Sequence, residues 1–476
     1  MIRSLALVIF CLLLSGSSAQ DARWFAIDSP GDLIWLSRPE LLDADGDGFD
    51  EFPDLQSKWL GNYFLTDSIV FDPDSSAVDW NGDGLIDHTD LAGFQGIGTE
   101  EIPFKGYFDG RYNRIKNLYL SGTYERTALF GVINGATIEN LRLEELKIFS
   151  NSNYNGGIAG RADQVLAPGD SNIIRRCIVS GKFVLSMDNN NLYTGGIIGR
   201  TDNTHIIECA SFVKMFAIGD SLDNRRVGGI AGQLSGNASI DDSYSISTVS
   251  AYEQSALLVA RSYDDAGVKI RNCYAAGPVS ATSDTARSTL GVFAGLLGSP
   301  EVLSCYFDSS VSEFPGVGES DVPLDVNGLS TAGFSESSNF AGWDFNTTWQ
   351  IKEIEGVQRP RLIWEDKEEL STEALLCPKR ALCLAPVHQW ERTQAPAFIP
   401  ENTLASFLVH PNPANRFIQV DTDHFPEELS IYNLFGQKVI SGQILSGSKR
   451  VDVSQLPAGM YILRTRKHSE VFIVVQ

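Results

Sequence analysis

Two acidic segments near the start carry the residues best suited to hold a cation. Asp43-Ala44-Asp45-Gly46-Asp47-Gly48-Phe49-Asp50-Glu51-Phe52-Pro53-Asp54 fits the register of a calcium loop. Asp43, Asp45 and Asp47 take the first three ligand positions, and Gly48 allows the sharp turn. The Phe49 carbonyl, Glu51 and Asp54 complete the set. Asp79, Asn81, Asp83, Leu85 (by its carbonyl), Asp87 and Asp90 fall in the same register of a second loop. Oxygens at alternate positions can wrap a hard cation, so both loops are expected to bind a structural Ca²⁺. Asp closes each loop in place of the usual Glu, which makes bidentate ligation less assured. The bland alternative is two solvated acidic turns.

Catalytic constellations are sparse. His88 and His205 stand in no recognisable motif, and His205 reads as a turn residue before Ile206-Ile207-Glu208-Cys209. There is no Gly-x-Ser-x-Gly elbow, no His-Glu-x-x-His and no phosphate loop. Asp241 with Asp242, or Asp264 with Asp265, could form a carboxylate pair. Neighbouring acids on a strand point to opposite faces, which weakens that reading. Tyr107, Phe108, Tyr112, Tyr154 and Tyr193 lie in or near turns, where exposed rings could stack on sugars or cap coil edges.

The elements that must carry these residues repeat. One phrase is a glycine pair, two apolar residues and glycine: Gly156 to Gly160, Gly195 to Gly199 and Gly228 to Gly232. Degenerate copies are Ala128 to Gly131, Ala256 to Ala260 and Gly291 to Gly295. The copy at 256–260 has lost its glycines, so that coil is expected to be irregular. A second phrase alternates with the first, as in Ile115-Lys116-Asn117-Leu118, Ile138-Glu139-Asn140-Leu141 and Ile270-Arg271-Asn272-Cys273. Its last position steps by 32, 34, 30 and 32 residues through Cys177, Cys209, Ser243, Cys273 and Cys305. A column filled by Leu, Cys or Ser is a small inward site, so these cysteines are expected to be buried and reduced. Short alternating runs lie between the phrases, with no helical periodicity in the body. Short strands at a regular period imply a solenoid of stacked coils, its glycines expected to supply positive φ and close approach.

Composition limits function. The chain has 476 residues and a formal charge of −23. That balance argues against nucleic acid as a partner and suits solubility and cation binding. Arg3, the apolar run Leu5 to Leu14 and Ser17-Ser18-Ala19 read as a secretory signal over 1–19. The mature chain then begins near Gln20, and no later segment has the length and apolarity of a membrane-spanning helix. Cys377 and Cys383 lie outside the repeats, where a local disulfide is the best reading.

The paired phrases resemble the GLUG repeats of bacterial surface proteins. Phe104 to Gly110 resembles their usual first coil, and Gly342 to Phe345, Trp349 and Pro360 to Trp364 their closing segment. The resemblance implies a right-handed parallel β-helix over 20–366. The acidic loops resemble those of dockerins, which also need a helix after each loop; Pro53 and Gly93 work against such helices. A linker over 367–404 follows. Residues 405–476 contain Val409-His410-Pro411-Asn412-Pro413, Leu429 to Val439 and Val451 to Leu463. Alternation and turn residues there read as a small antiparallel β-sandwich. The segment closely resembles the C-terminal sorting domain of the type IX secretion system. That resemblance implies export by the type IX machinery of a Gram-negative cell and attachment to outer-membrane lipopolysaccharide. The resulting expectation is a cell-surface or extracellular binding or adhesion protein with a glycan or host-surface ligand, not integral to the membrane. The alternative is a β-helix carbohydrate-active enzyme, a lyase or hydrolase.

Overall fold

The computed structural model describes residues 24–38, 54–73, 78, 93–122, 126–162, 171–186, 192–218, 225–251, 253–263, 267–281, 289–367, 408–410, 416–421, 427–433, 438–445, 448–457, 459–465 and 469–474. Residues 24–329 form a parallel β-solenoid. Its first face stacks Trp24–Ile27, Asn62–Leu65 and Tyr107–Asp109, continues through the starts of the long strands Thr137–Ser150 and Asn172–Ser186, and ends on Thr204–Ile207, Ser239–Asp241, Lys269–Arg271 and Glu301–Leu303. Every one of these pairings is parallel. Register stacks like on like. Phe108, Ile138, Ile174, Ile206, Ile240, Ile270 and Val302 form one inward column, all buried. Strands buried in this way, with one apolar residue repeated on every rung, give a continuous core rather than separate small ones.

The second phrase makes a corner. Asn140, Arg176, Glu208, Asp242, Asn272 and Ser304 all have φ between 47° and 55°, the left-handed region, whereas Asn117, expected in the same column, lies beside Glu145 at a separate corner because Lys116 pairs with Glu144. Leu141, Cys177, Cys209, Ser243, Cys273 and Cys305 follow them inward, each fully buried, while Leu118 is buried at the other corner, opposite Leu146. The four cysteines are free, as the column predicts. Burial pushes the Cys177 and Cys273 thiols well above the ordinary cysteine range.

The glycine phrase makes a different corner. Short strands Tyr154–Gly156, Leu192–Gly195 and Arg225–Gly228 stack in one sheet. Ala159–Ala162, Ile198–Asp202, Ala231–Ser235, Val259–Ser262 and Ala294–Leu297 stack in the next. The glycines were expected to supply positive φ, but none of those in the phrases at 156–160, 195–199 or 228–232 has it. They are there for close approach. A Cβ on Gly156, Gly195 or Gly228 would lie 2.0 Å from the carbonyl oxygen three residues on. The coil at 256–260 is not irregular as expected: Val259 pairs with Ala231 on one side and Ala294 on the other. Ala256 and Ala260, both fully buried, are small enough to keep the path.

Two short helices correct the expectation of a helix-free body. Pro30–Ser37 starts on a Ser29/Asp32 capping box with Pro at its head. It buries Leu33, Ile34, Trp35 and Leu36 against the core beside the first rung. Leu55–Trp59 follows the first acidic loop, where Pro53 was read as opposing a helix. Asp54 caps it, and Pro53 precedes the cap in sequence, where a missing N–H costs the helix nothing. His205 lies within strand Thr204–Ile207, not in a turn.

Residues 331–366 fold back along the outside as a strap. They comprise two 3₁₀ turns, the antiparallel hairpin Trp349–Ile354/Val357–Leu362 and a final turn Ile363–Asp366. The C-terminal region is antiparallel, as expected: Leu408–His410, Phe417–Asp421 and Ser448–Asp452 form one sheet. Lys438–Ile444, Glu427–Asn433, Gly459–Arg464 and Ser469–Val474 form the other. Ile418, Val420, Leu429, Ile431, Val453 and Leu463 fill its core. Cys377 and Cys383, like the signal segment, lie outside the described residues.

Two outcomes follow. The four column thiols should react with a thiol reagent only after denaturation, without reductant, because the thiolate is the reactive form; mass spectrometry showing a bridge between any two contradicts this. Ser304→Gly should raise stability by about 1 kcal/mol by relieving a left-handed non-glycine residue. Gly228→Ala should lower it by about 1–3 kcal/mol through overpacking. Thermal melts of both variants check the pair.

Candidate functional site

The predicted cation ligands Asp43, Asp45, Asp47, Phe49, Glu51, Asp79, Asn81, Asp83, Leu85, Asp87 and Asp90 lie outside the described residues. Asp54 is described. It accepts hydrogen bonds from the Ser57 backbone N–H at 2.7 Å and the Ser57 hydroxyl at 2.8 Å. Those two bonds hold its carboxyl below the usual carboxylate range.

The carboxylate pair is spent on structure. Asp241 accepts from Arg271 Nε at 2.7 Å and from the Ser239 hydroxyl at 2.7 Å. Asp242 accepts from Trp349 Nε1 and from Asn272 Nδ2, each at 3.2 Å. Burial raises the Asp242 carboxyl, against the pull of those two donors. Asp264, Asp265 and His88 lie outside the described residues. His205 Nδ1 meets the Ser239 hydroxyl at 2.9 Å.

Trp349 belongs to the strap, which sequence reasoning placed only as a closing segment. Tyr244, Tyr274 and Tyr306 stack in register on the outer face of the solenoid. Their rings would be wet without the strap, yet Tyr244 and Tyr274 are fully buried. Trp349 lies near both rings, and Trp343 packs on Tyr274 and Tyr306. The hydroxyls are satisfied: Tyr244 donates to Glu365 Oε1 at 2.9 Å and Tyr274 to the Pro360 carbonyl at 2.8 Å. Arg359 pairs with buried Asp308 at 3.2 Å. At the far end Arg142 donates to the Glu365 and Lys367 carbonyls at 3.0 and 2.9 Å.

Of the predicted aromatics, Phe108 is core. Tyr107 donates its hydroxyl to Glu139, and Tyr112 sits against Trp364. Tyr154 and Tyr193 come together. They are cross-strand neighbours whose rings stack at 5.2 Å with 15° between planes. Arg126 precedes them and Arg226 follows them on the same sheet. Around the corner the neighbouring sheet carries Arg161, Arg200, Gln233 and Arg261 in one register. Arg161 approaches the Tyr154 ring at 5.4 Å, and Arg200 and Arg226 approach Tyr193 at 5.9 and 4.5 Å. The two sheets close on each other because the last glycine of each phrase sits at the fold. A Cβ on Gly199 would lie 2.8 Å from the Tyr193 carbonyl oxygen, and one on Gly232 2.6 Å from the Thr194 nitrogen.

The result is a corner groove where arginines flank two tyrosines stacked face to face, with Tyr193 largely buried, on a chain of strongly negative charge. Glu100 pairs with Arg126 and Arg161, and Asp202 stands 3.8 Å from Arg200. A cleft of about 330 Å³ opens at the Arg126 end, between Phe94, Thr99, Glu101 and Gly131. Burial holds the Arg226 guanidinium below its ordinary value. Planar guanidinium groups beside aromatic faces can fork onto carboxylate or sulfate oxygens while a ring stacks below. Sequence reading found the tyrosines and missed the arginines. For one wall the signal was available: Arg161, Arg200, Gln233 and Arg261 each directly follow the final small residue of a phrase.

Trp349→Ala should cost about 3–5 kcal/mol as a large buried ring is removed. Limited proteolysis should then cut first within 331–366. An unchanged melt with an uncut strap contradicts the packing described.

No curated protein matches the chain. Among solved structures, a Bacteroides ovatus protein described as a candidate immunoglobulin A1 protease is similar at 19% identity. The match covers 63% of this chain and 85% of that one, with a TM-score of 0.45. Residues 408–475 match the family described as the secretion system C-terminal sorting domain. The chain thus ends in a type IX sorting domain that engages the type IX secretion machinery, and it is a protein secreted to the cell surface or the extracellular space.

Proposed function

We propose that the mature protein is a surface binding module that takes a glycan along the tyrosine–arginine groove. The stacked Tyr154–Tyr193 pair carries this reading, because two rings stacked on successive rungs and flanked by guanidinium groups set aromatic edges and hydrogen-bonding groups in line with an extended sugar chain. The solenoid supports it: rungs spaced by about 4.8 Å present a straight, rigid row to an extended chain. Asp241, Asp242, Tyr107, Phe108 and Tyr112 are held in packing or hydrogen-bond contacts, so among the described residues first suspected of chemistry the Tyr154–Tyr193 pair, with its arginines, is the place where polar and aromatic groups converge. Removal of the signal at 1–19 and attachment of the sorted protein to outer-membrane lipopolysaccharide complete the proposal. Adhesion to a glycan-bearing surface is the biological sense it supports.

On a glycan array, the mature protein should retain a defined set of carbohydrates. Tyr154→Ala with Tyr193→Ala should weaken retention at least tenfold at a temperature well below its melt, which falls because Tyr193 is buried. A blank array, or retention unaffected by the double variant, counts against the groove.

The two acidic loops are part of the same proposal as structural Ca²⁺ sites near the N-terminal rungs. A cation would offset the repulsion among Asp43, Asp45 and Asp47, and among Asp79, Asp83 and Asp90. Calorimetric titration of the chelated protein should report about two sites, lost in Asp47→Ala with Asp83→Ala. Binding at a hundredfold excess over Kd would add about 2.7 kcal/mol of stability. Absence of heat, with identical melts in calcium and chelator, contradicts the loops as sites.

A further inference from the structure

The same groove carries information about the charge of its ligand. This step rests on the glycan reading above and narrows it. On the sheet that forms one wall, Arg161, Arg200, Gln233 and Arg261 occupy equivalent positions on successive rungs. Side chains at equivalent positions of stacked parallel strands share a face, so this is a straight row. The Arg161 and Arg200 side chains are 23% and 27% exposed. Arg261 touches the Gln254 amide oxygen at 3.5 Å and lies 4.6 Å from the Tyr263 ring, both neutral groups.

Gln233 is the telling member. It is fully buried, flanked by Arg200 and Arg261 on the neighbouring strands, and neither its amide oxygen nor its amide nitrogen has a hydrogen-bond partner. An unsatisfied buried amide is costly, and an orphan of this kind calls for a partner that the protein itself does not provide. An amide can donate to an acidic or hydroxyl oxygen and accept from a hydroxyl, the groups that alternate along a sugar chain. The arginines around it add what a neutral sugar would not need: fixed cationic forks, which match carboxylate or sulfate bidentately. They stand on a protein whose formal charge is −23, so a cationic row is not a by-product of composition.

We propose that the groove binds an acidic glycan, one bearing carboxylate or sulfate groups, with Arg200 and Arg261 gripping anionic substituents two rungs apart and the Gln233 amide, buried and unpartnered in the free protein, turning outward to hydrogen-bond the sugar between them. Two rungs span about 9.6 Å, so a polymer with its charge repeated along the chain fits better than an isolated anion. The edges of the stacked Tyr154–Tyr193 pair lie beside the chain. The second cationic row of the solenoid, Lys147, Lys182 and Lys214 on another face, has no forks and provides a matched control.

The test uses the full-length mature protein and paired probes. Oligogalacturonate and its methyl ester share a backbone and differ in carboxylate. Dextran sulfate and dextran differ in sulfate. The charged member of at least one pair should bind tenfold or more tightly than its neutral twin. Whichever pair responds identifies carboxylate or sulfate as the anion. Arg200→Gln and Arg261→Gln should each remove at least fivefold of that preference. Gln233→Leu should weaken both members of the responding pair. Lys214→Gln should change nothing. Equal binding of charged and neutral twins would overturn the inference and leave the glycan reading standing. A DNA oligomer bound as tightly as the charged glycan would overturn it too, reducing the row to a general anion patch. If no probe binds and the array is blank, the underlying glycan reading falls with it. Should the arginine variants melt early, the comparison of twins on the unmodified protein decides alone.

Discussion

The solenoid depends on one hydrogen bond repeated on successive rungs. The residue held in the left-handed region at the second-phrase corner donates its N–H to the carbonyl just before the same corner of the next rung. Glu208 donates to Asp241, Asp242 to Arg271 and Asn272 to Leu303, at 3.0, 3.0 and 3.1 Å. A non-glycine residue in that conformation costs roughly 1–2 kcal/mol. The bond and the inward turn it forces offset that cost, because the next side chain then enters the core. That step sets the size limit seen in the Leu/Cys/Ser column. It also sets the register of the aliphatic column on one side of the corner and of the Tyr244–Tyr274–Tyr306 stack on the other. A slip of one residue would turn both faces inside out.

The two corners of a coil solve different problems. At the second-phrase corner the chain needs an unusual φ and accepts a side chain. At the glycine corner it keeps ordinary φ and cannot accept one, since two sheets meet within van der Waals distance of a Cβ. The tight corner produces concavity, and concavity lets Tyr154 and Tyr193 face Arg161 and Arg200 instead of diverging into solvent. The groove is therefore a consequence of glycine in a place where a larger residue would have opened the angle.

Much of this architecture was legible in the sequence. The cysteine column followed from its period alone, because burial of a small residue at a fixed step is a direct statement about stacking. The tail was legible because alternation and turn residues agree along most of its length. The arginine row was missed because the position after each phrase is not constant: Val132 and Leu296 hold it in other copies, so the three arginines and Gln233 stand out as a row once register aligns them. The helix Pro30–Ser37 was missed because it is apolar around most of its surface, which erases helical periodicity; only Ser29, Pro30 and Asp32 announced it. The strap was quoted as a motif, but nothing in Trp343, Trp349 or Trp364 says which face they cover. That is decided by long-range contact with Tyr244 and Tyr274, a hundred residues away in order of magnitude. The acidic loops fit a ligand register by spacing, and spacing is all that speaks for them.

The strap also has a mechanical meaning. It leaves the last rungs near Asp308 and ends beside Arg142 and Tyr112, with Lys367 Nζ 3.1 Å from the Tyr112 hydroxyl. The chain therefore departs toward its C-terminal tail from the flank of the early coils, not from the end of the stack. A pull transmitted through the tail meets Arg142, Tyr244, Tyr274 and Asp308 side by side. Load enters as shear shared among several rungs, whereas a chain leaving from the terminal rung would be peeled one strand at a time.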